Sequence, residues 1–543
     1  MSILTTIIDR YYRTWFRFHP EMAVDLGVIG YAHLLKPYGD DDLGALDVLN
    51  EKLISTLDEL DLTELTQDQQ IDLQLMRGAA VLQLESRALR DWRTCDPGSF
   101  LPVHAIYQLT IHDIDDKDKA ITERLKAIPP YLRGARSWLD IEPEKIPSIW
   151  LESAIAEAEG GAVFIRDLKQ HPEFIHYRLN EELEQAAHAL EEFAQYLKRD
   201  LAEQAGGEFA YGRRYFDLVL QERHFLNINA DELYAFGEKL FHKTEQDLHA
   251  VTQELQGNDD VDGLMHKIQQ QRPDKSQLLD EYRNQMQAAR KFVEENNIVS
   301  LPGKESLKVI ETPVFLQHQI PFAAYYEPAP TDAKQQGYYY VTPPKTEEEL
   351  GEHNLISLKH TCVHEAWPGH HLQFVKANLK STSSSLPRLL NASATLYEGW
   401  ALYCEQLMQE QGFIKEPESR FVLLKDRLWR ALRIMIDVGI HTRGLSLDDA
   451  AKLMQQKLGF SHSQAMADLA WYTHAPGVPM GYATGWALIN QLKQQQQEKE
   501  KFNLKTFHDT LLSSGSIALP LAIVRGFGLS AWQKTHQSVF KNN

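Results

Sequence analysis

Between Leu358 and Lys380 the chain reads LKHTCVHEAWPGHHLQFVKANLK, bringing His360, His364, Glu365, His370 and His371 within about three helical turns. Neutral imidazoles supply nitrogen ligands to zinc, and a neighbouring carboxylate takes a proton from water that the metal activates. The zincin pattern H-E-x-x-H, whose ligands lie four apart on one helical face, is absent. Four residues after His364 stands Pro368, followed by Gly369. Proline cannot donate to the His364 carbonyl, so a kink or bulge is expected there. That distortion would swing His370 back toward His364, from which a regular helix turns it away by roughly 240°. Two rivals stay open. His371 lies nearly two whole turns from His364 but about 10.5 Å along the axis, and His360 sits one undistorted turn before it.

The third ligand must come from another helix. In ATLYEGWALYCEQLMQEQ, Glu398 stands among Leu396, Tyr397, Trp400, Ala401 and Leu402. A carboxylate there suffers a desolvation penalty unless it is paired or coordinated, with an arginine as the alternative partner to a metal. One glutamate downstream of a His-Glu helix is the arrangement of gluzincin peptidases. Glu405, seven residues on, shares its face and is expected to orient a histidine from behind. In RALRIMIDVGIH, the residues Arg433, Asp437 and His441 are spaced four apart along one helical face. The stripe reads either as a salt-bridged face or as groups near a carbonyl under attack, with Asp437 fixing its neighbour. Tyr482 follows the loop PGVPMG at a helix start, placed either to stabilise an oxyanion or to pack in the core. Cys362 and Cys404, close to these motifs, are expected as buried small hydrophobes and not as ligands or nucleophiles. The chain has no phosphate-binding glycine loop and no G-x-S-x-G nucleophile elbow.

The elements that position these residues are mostly helices. Apolar residues recur three and four apart in LGALDVLNEKLISTLDELD, IDLQLMRGAAVLQLESRALRDW and LNEELEQAAHALEEFAQYLKRDLAEQ. Breaks are expected at DPGSFLP, IPPYL and EPEKIPS. Helical pattern resumes from ADELYAFGEKLFHKTEQDLHAVTQEL through SQLLDEYRNQMQAARKFVEENN. Residues 298–344 hold seven prolines and β-rich pieces such as SLKVIETPVFLQH and GYYYVTPP, and predict a small strand-bearing segment. Helices follow at about 355–380, 389–411, 418–442 and 482–501. The expected fold is mainly α, with an N-terminal helical region at 1–210 and a catalytic helical region at 211–543, the two readable as one continuous domain. DDVDG at 259–263 lacks the terminal glutamate of a calcium loop and reads as an ordinary turn.

At 543 residues a sizeable core is assured, and 43% hydrophobic with 24% charged residues is globular composition. A formal net charge of −20 argues against a nucleic-acid binder. Three scattered cysteines, Cys95, Cys362 and Cys404, are no disulfide framework. Charges at Asp9, Arg10 and Arg13 interrupt the early apolar patch, so it is not expected as a signal peptide. No run of about 18 apolar residues suggests a membrane span. The expected location is cytoplasmic, with no nucleic-acid or membrane partner; oligomeric state is silent.

HEAWPGHH followed by YEGWALY resembles the bacterial domain-of-unknown-function 885 family, grouped with gluzincin-like metallopeptidases. TPVFLQHQIPFAAYYEPAP, GYYYVTPP, RALRIMIDVGIH and PGVPMGYATGWALINQL extend the resemblance over most of the chain. It implies a large helical metallohydrolase fold. The position of His370 is the steadier one in the family signature, which favours His370 over His371 as ligand. Where relatives usually read PGQAL, this chain has PGVPM, which changes the expected pocket. The resulting expectation is a zinc peptidase in which His364, His370 and Glu398 hold the metal with a fourth position open to water. Glu365 is then the general base, Tyr482 or His441 stabilises the oxyanion, and His371, Glu405, Arg433 and Asp437 support the site or the substrate. The substrate is expected to be a peptide or small amide. The alternatives are a metal-dependent amidase or esterase on a non-peptide, and a non-catalytic helical protein that binds metal or peptide. Glu365 argues against the last, because a purely structural zinc site needs no base and is normally closed by four protein ligands.

Overall fold

Amphipathic periodicity becomes helix along most of the chain in the computed structural model, which describes residues 3–317, 320, 322–379 and 384–541. The fold is mainly α with one small sheet. Helix starts carry their expected caps. Thr66 and Gln69 form a capping box at the head of Gln67–Leu89, and Asn229 with Glu232 does the same for Ala230–Gln256. Asp260 caps Val261–Gln269, which accounts for the DDVDG turn without an ion.

The break expected at IPPYL does not occur. One helix runs through it, Lys117–Leu139, with Pro129 and Pro130 inside. Each interior proline costs about 3 kcal/mol in lost ladder bonds and crowding. Against that, Ile121, Leu125, Ile128, Leu132, Ala135 and Leu139 are all buried along one stripe, and full burial of a Leu or Ile is worth roughly 1.5–3 kcal/mol. Tertiary packing overrides the local signal.

The proline-rich segment folds as predicted into strands: β1 (Ser306–Glu311), β2 (Ala323–Tyr326) and β3 (Gln336–Val341). Residues 318, 319 and 321 of that segment lie outside the described residues. The order is β1-β3-β2, with β1 parallel to β3 from Ser306↔Gln336 and β2 antiparallel to it from Ala323↔Val341. Alternation on β3 sends Tyr339 and Val341 into the main core and Tyr340 into a second core formed by residues 100–201. The main core also takes in Ile71 and Leu75, so the helix Gln67–Leu89 packs with residues from far beyond position 210. All three cysteines are buried and free, as expected. Among the described residues no helix is long and apolar enough to cross a membrane.

Candidate metal centre

The predicted helix at 355–380 is two helices. Leu355–Glu365 stops one residue after His364, and His370–Leu379 restarts after a four-residue turn; Lys380 lies outside the described residues. Pro368 has no N–H for the ladder. The turn closes instead through Gly369 N–H to the Val363 carbonyl (3.1 Å) and Leu372 N–H to the Ala366 carbonyl (3.2 Å). A Cβ on residue 369 would stand 1.8 Å from the His364 carbonyl oxygen, so only glycine fits there. The buried Trp400 indole N–H donates to the Pro368 carbonyl at 2.8 Å, tying the turn to the neighbouring helix Ala394–Glu410. The outcome is the predicted swing. The rings of His364 and His370 stand 4.8 Å apart, nearly perpendicular.

Glu398 rises from Ala394–Glu410 between the two rings. Its Oε2 lies 3.6 Å from His364 Nε2 and 3.3 Å from His370 Nε2. One ligand atom from each of the three residues falls within 4.8 Å of the others, and all three side chains are buried. Glu405, two turns along the same helix, accepts from His364 Nδ1 at 2.7 Å, leaving Nε2 to face the centre. Burial alone would lower the His364 pKa, but the Glu398 and Glu405 carboxylates hold it up at about 10. Burial likewise works against a Glu398 charge, and His370 and His364 hold its carboxyl well below the usual range. Among the described residues the buried Glu398 Oε2 atom has no hydrogen-bond partner. Two nitrogens and one carboxylate oxygen converging on one point, with an orphaned oxygen among them, suit a zinc ion with an open position. The residues fit the metal.

The remaining groups of the site come from three directions. Glu365 is coupled electrostatically to His364, His370 and Glu398, and burial raises its pKa above the ordinary value. Tyr482 opens the helix Gly481–Gln497, and its ring lies nearly parallel to that of His364 at 6.4 Å. Burial first, then the facing Glu398 charge, push its phenol far above its ordinary pKa, so it remains a donor at neutral pH. This helix can approach that of Glu398 because Gly399 meets Gly485; a Cβ on Gly399 would sit 2.5 Å from the Gly485 Cα. Arg433, held by the Tyr472 hydroxyl at 2.6 Å, places its guanidinium 4.7 Å from the Tyr482 ring centre. The Asp437 carboxylate accepts from the N–H groups of Gly477 and Met480, which fixes the loop leading into Tyr482.

Two expectations, on His441 and Asp437, require correction, and both rival ligands are turned away. His441 does not join the centre: its Nε2 bonds the Tyr472 carbonyl at 3.0 Å and its ring packs among Phe209, Tyr211 and Phe216. Arg430, whose charge is felt at Glu365, lies midway along helix Ser419–Thr442, and His441 lies eleven residues (roughly 16 Å) further along. A stripe spaced by four runs along the axis, so only one end of it reaches a compact site. Asp437 lies 3.9 Å from His441 Nε2 on its own helix, but its hydrogen bonds hold the loop of Tyr482. His371, as a rival ligand, is also turned away: Nε2 contacts Glu305 Oε2 at 2.9 Å and Nδ1 contacts the Tyr325 hydroxyl at 3.1 Å. His360, the other rival, stays outside the cluster, with Nδ1 4.0 Å from Glu405 Oε2.

Sequence reasoning passed over Tyr325, Tyr397 and Arg430. Tyr325 on β2 lies parallel to His370 at 6.2 Å, and Tyr397 packs on the same ring at 6.3 Å. Arg430 stands 5.9 Å from the Tyr482 ring centre, with Nη1 3.6 Å from Asp426 Oδ1 and no hydrogen bond at its buried Nε among the described residues. Only Arg430 left a signal, being one turn before Arg433 on the same face.

The family model described as a bacterial protein of unknown function (DUF885) matches residues 20–525. No curated protein matches the chain. Two solved structures are similar. One, a predicted lipoprotein of unknown function from Shewanella oneidensis, has TM-score 0.78 and 22% identity, covering 96% of this chain and 99% of that one. The other, a predicted lipoprotein from Colwellia psychrerythraea, has TM-score 0.79 and 17% identity, covering 99% and 98%. At such identities the likeness is one of fold.

Proposed function

This chain belongs to that DUF885 family, and from its site we propose that it is a zinc-dependent hydrolase of peptide or amide bonds, gluzincin-like in its ligand set. One observation carries the reading: His364, His370 and Glu398 converge within 4.8 Å, beside a carboxylate, Glu365, that is not among the converging ligands. Zinc bound there supplies Lewis acidity, which eases deprotonation of water and polarises the scissile carbonyl. Glu365 accepts the proton of the attacking water and returns it to the leaving nitrogen as the C–N bond breaks. Its raised pKa suits both halves of that exchange. Tyr482, protonated at neutral pH, donates to the oxyanion that forms on the carbonyl oxygen. Glu405 holds the His364 ring with Nε2 inward, and Arg433 braces the Tyr482 ring.

The description of both structural relatives as lipoproteins favours a site of action outside the cytoplasm over the expectation from cysteine usage, and fractionation of the native cell decides between them.

The test is a peptide-library screen of zinc-loaded protein beside its Glu365→Gln variant. Cleavage by the wild type, with a drop of about 10²–10⁴ in the variant at undiminished zinc content, is the expected result. Equal rates in both proteins, or no cleavage of any peptide, amide or ester by stoichiometrically loaded wild type, overturns the reading.

A further inference from the structure

One cavity lies apart from the proposed metal centre: none of its lining residues belongs to that site. It has a volume of about 370 Å³ and lies between the N-terminal helices and the segments around Tyr211 and Asn391. That volume falls in the range of small-molecule sites, and is far more than a few waters need.

Its walls combine two kinds of surface. Trp15, Trp92, Trp150 and Tyr211 offer aromatic faces. Four cations line it, Lys36, Arg87, Arg90 and Arg223, against two carboxylates, Asp47 and Asp96. In a chain of net charge −20 this local surplus of positive charge is unusual. The cations are not equivalent. Arg87 is paired with Asp47 at 3.2 Å, and Lys36 lies over Trp92 at 4.0 Å with Asp96 as the opposing charge it feels most. Arg90 is fixed by the carbonyls of Phe209 and Ala210 and lies over Trp150 and Tyr211. Arg223 is exposed to the cavity, and among the described residues its guanidinium has no ion pair or hydrogen bond.

Arg223 is also the lining cation whose charge is felt next to the proposed metal ligands. Its charge reaches the Tyr397 phenol, and Tyr397 packs on the His370 ring at 6.3 Å and precedes Glu398 in sequence. Asn391, another lining residue, lies just before the helix that carries Glu398. A carboxylate brought into the cavity meets, at Arg223, a guanidinium with no counter-charge among the described residues. Such a group recognises a carboxylate by paired N–H donors.

We infer that the cavity holds the carboxylate-bearing end of the substrate, anchored by Arg223, with an aromatic or large apolar side chain received by the tryptophan walls. The substrate class is a short peptide or N-acyl amino acid with a free carboxylate. This rests on the proposed hydrolase reading, but binding tests it separately from turnover. The probe is an N-acetyl dipeptide ending in phenylalanine, as free acid and as C-terminal amide. Each is titrated calorimetrically into zinc-loaded full-length Glu365→Gln protein, with and without Arg223→Gln or Arg223→Lys, while the wild type is assayed for cleavage of both. The expected result is that the acid binds at least about tenfold tighter than the amide. Arg223→Gln abolishes that preference with amide binding and melting unchanged, and Arg223→Lys keeps part of it. Equal binding of acid and amide, or a preference that survives Arg223→Gln, overturns the inference, even if peptides are cleaved. A preference lost with Arg223→Gln in a protein that cleaves neither probe upholds the cavity's role and counts against the hydrolase reading alone.

Discussion

Glu405 accepts a hydrogen bond from Nδ1 of His364 at 2.7 Å, while Nε2 of the same ring stands 3.6 Å from the Glu398 carboxylate. Both glutamates come from one helix, seven residues apart, so in the proposed zinc site that single element would supply a ligand atom and the group that aims a second ligand at it. Replacing Glu405 by Ala is expected to weaken zinc binding by about 10–100-fold in chelator competition. Glu405→Gln, which keeps an acceptor but loses the charge, should fall between. Ala and wild type with equal affinity would refute an orienting role.

The ligand assignment is tested by metal content, measured by plasma mass spectrometry on protein purified without an affinity-metal column. About one zinc per chain is expected, lost in His364→Ala, His370→Ala and Glu398→Ala. His360→Ala and His371→Ala should retain it, because His371 has both ring nitrogens occupied by Glu305 and Tyr325, and His360 stands outside the converging atoms. Zinc lost with His371 but kept without His370 would redraw the centre.

How much of this was legible follows from what each feature depends on. Helices such as Ala230–Gln256 follow a 3.6-residue apolar period, and the period is local information. The prolines of IPPYL are local too, yet the burial that overrides them belongs to the whole core. Around Pro368 the sequence signals a break but not where the chain goes next. The direction is set by Gly369 against the His364 carbonyl and by Trp400 from another helix, so His360, His370 and His371 stayed rivals until the turn was seen. For His441, face alone was readable, and distance along the axis decided its fate. Arg223 had no motif at all; its proposed role arises only from the cavity and from the lack of a counter-charge among the described residues.

Asp437 makes a prediction about pH. Its carboxyl is fully buried, and burial raises its pKa from 3.8 to about 8 against the Gly477 and Met480 N–H bonds that lower it. The folded state therefore holds a proton that the unfolded state has released between those values, and stability falls as pH rises through that window. Nearby His441, lowered to about 4 by burial, contributes the opposite slope only below its unfolded value of 6.5. From pH 6.5 to 8 His364, held up at about 10, gives a slope of the same sign in both proteins, so the Asp437 contribution, at most about 1.4 kcal/mol per pH unit, is read as the difference between wild type and Asp437→Asn. Urea melts of wild type and Asp437→Asn across this interval should show that slope missing from the variant. Parallel curves would show that Asp437 is ionised in the fold throughout.

Trp400 is the residue on which the whole centre turns in mechanical terms. It is fully buried, and its indole N–H satisfies the carbonyl of Pro368, which no helical ladder can serve. Trp400→Phe keeps an aromatic ring but strands that buried carbonyl, at a cost of about 1–3 kcal/mol, before any loss from the smaller volume. The stranded group lies two residues before His370, so the disturbance should reach the metal as well as the fold. Trp486→Phe is the matched control. Trp486 sits on the helix that carries Tyr482, and its indole donates to Gln406 at 2.8 Å, a bond of the same length that supports no part of the turn. The expected outcome is that Trp400→Phe is destabilised and binds zinc about tenfold more weakly, whereas Trp486→Phe binds zinc as the wild type does. If both variants lose affinity equally, general loosening explains the effect. If neither does, the turn holds His370 in place through Gly369 and its backbone bonds alone.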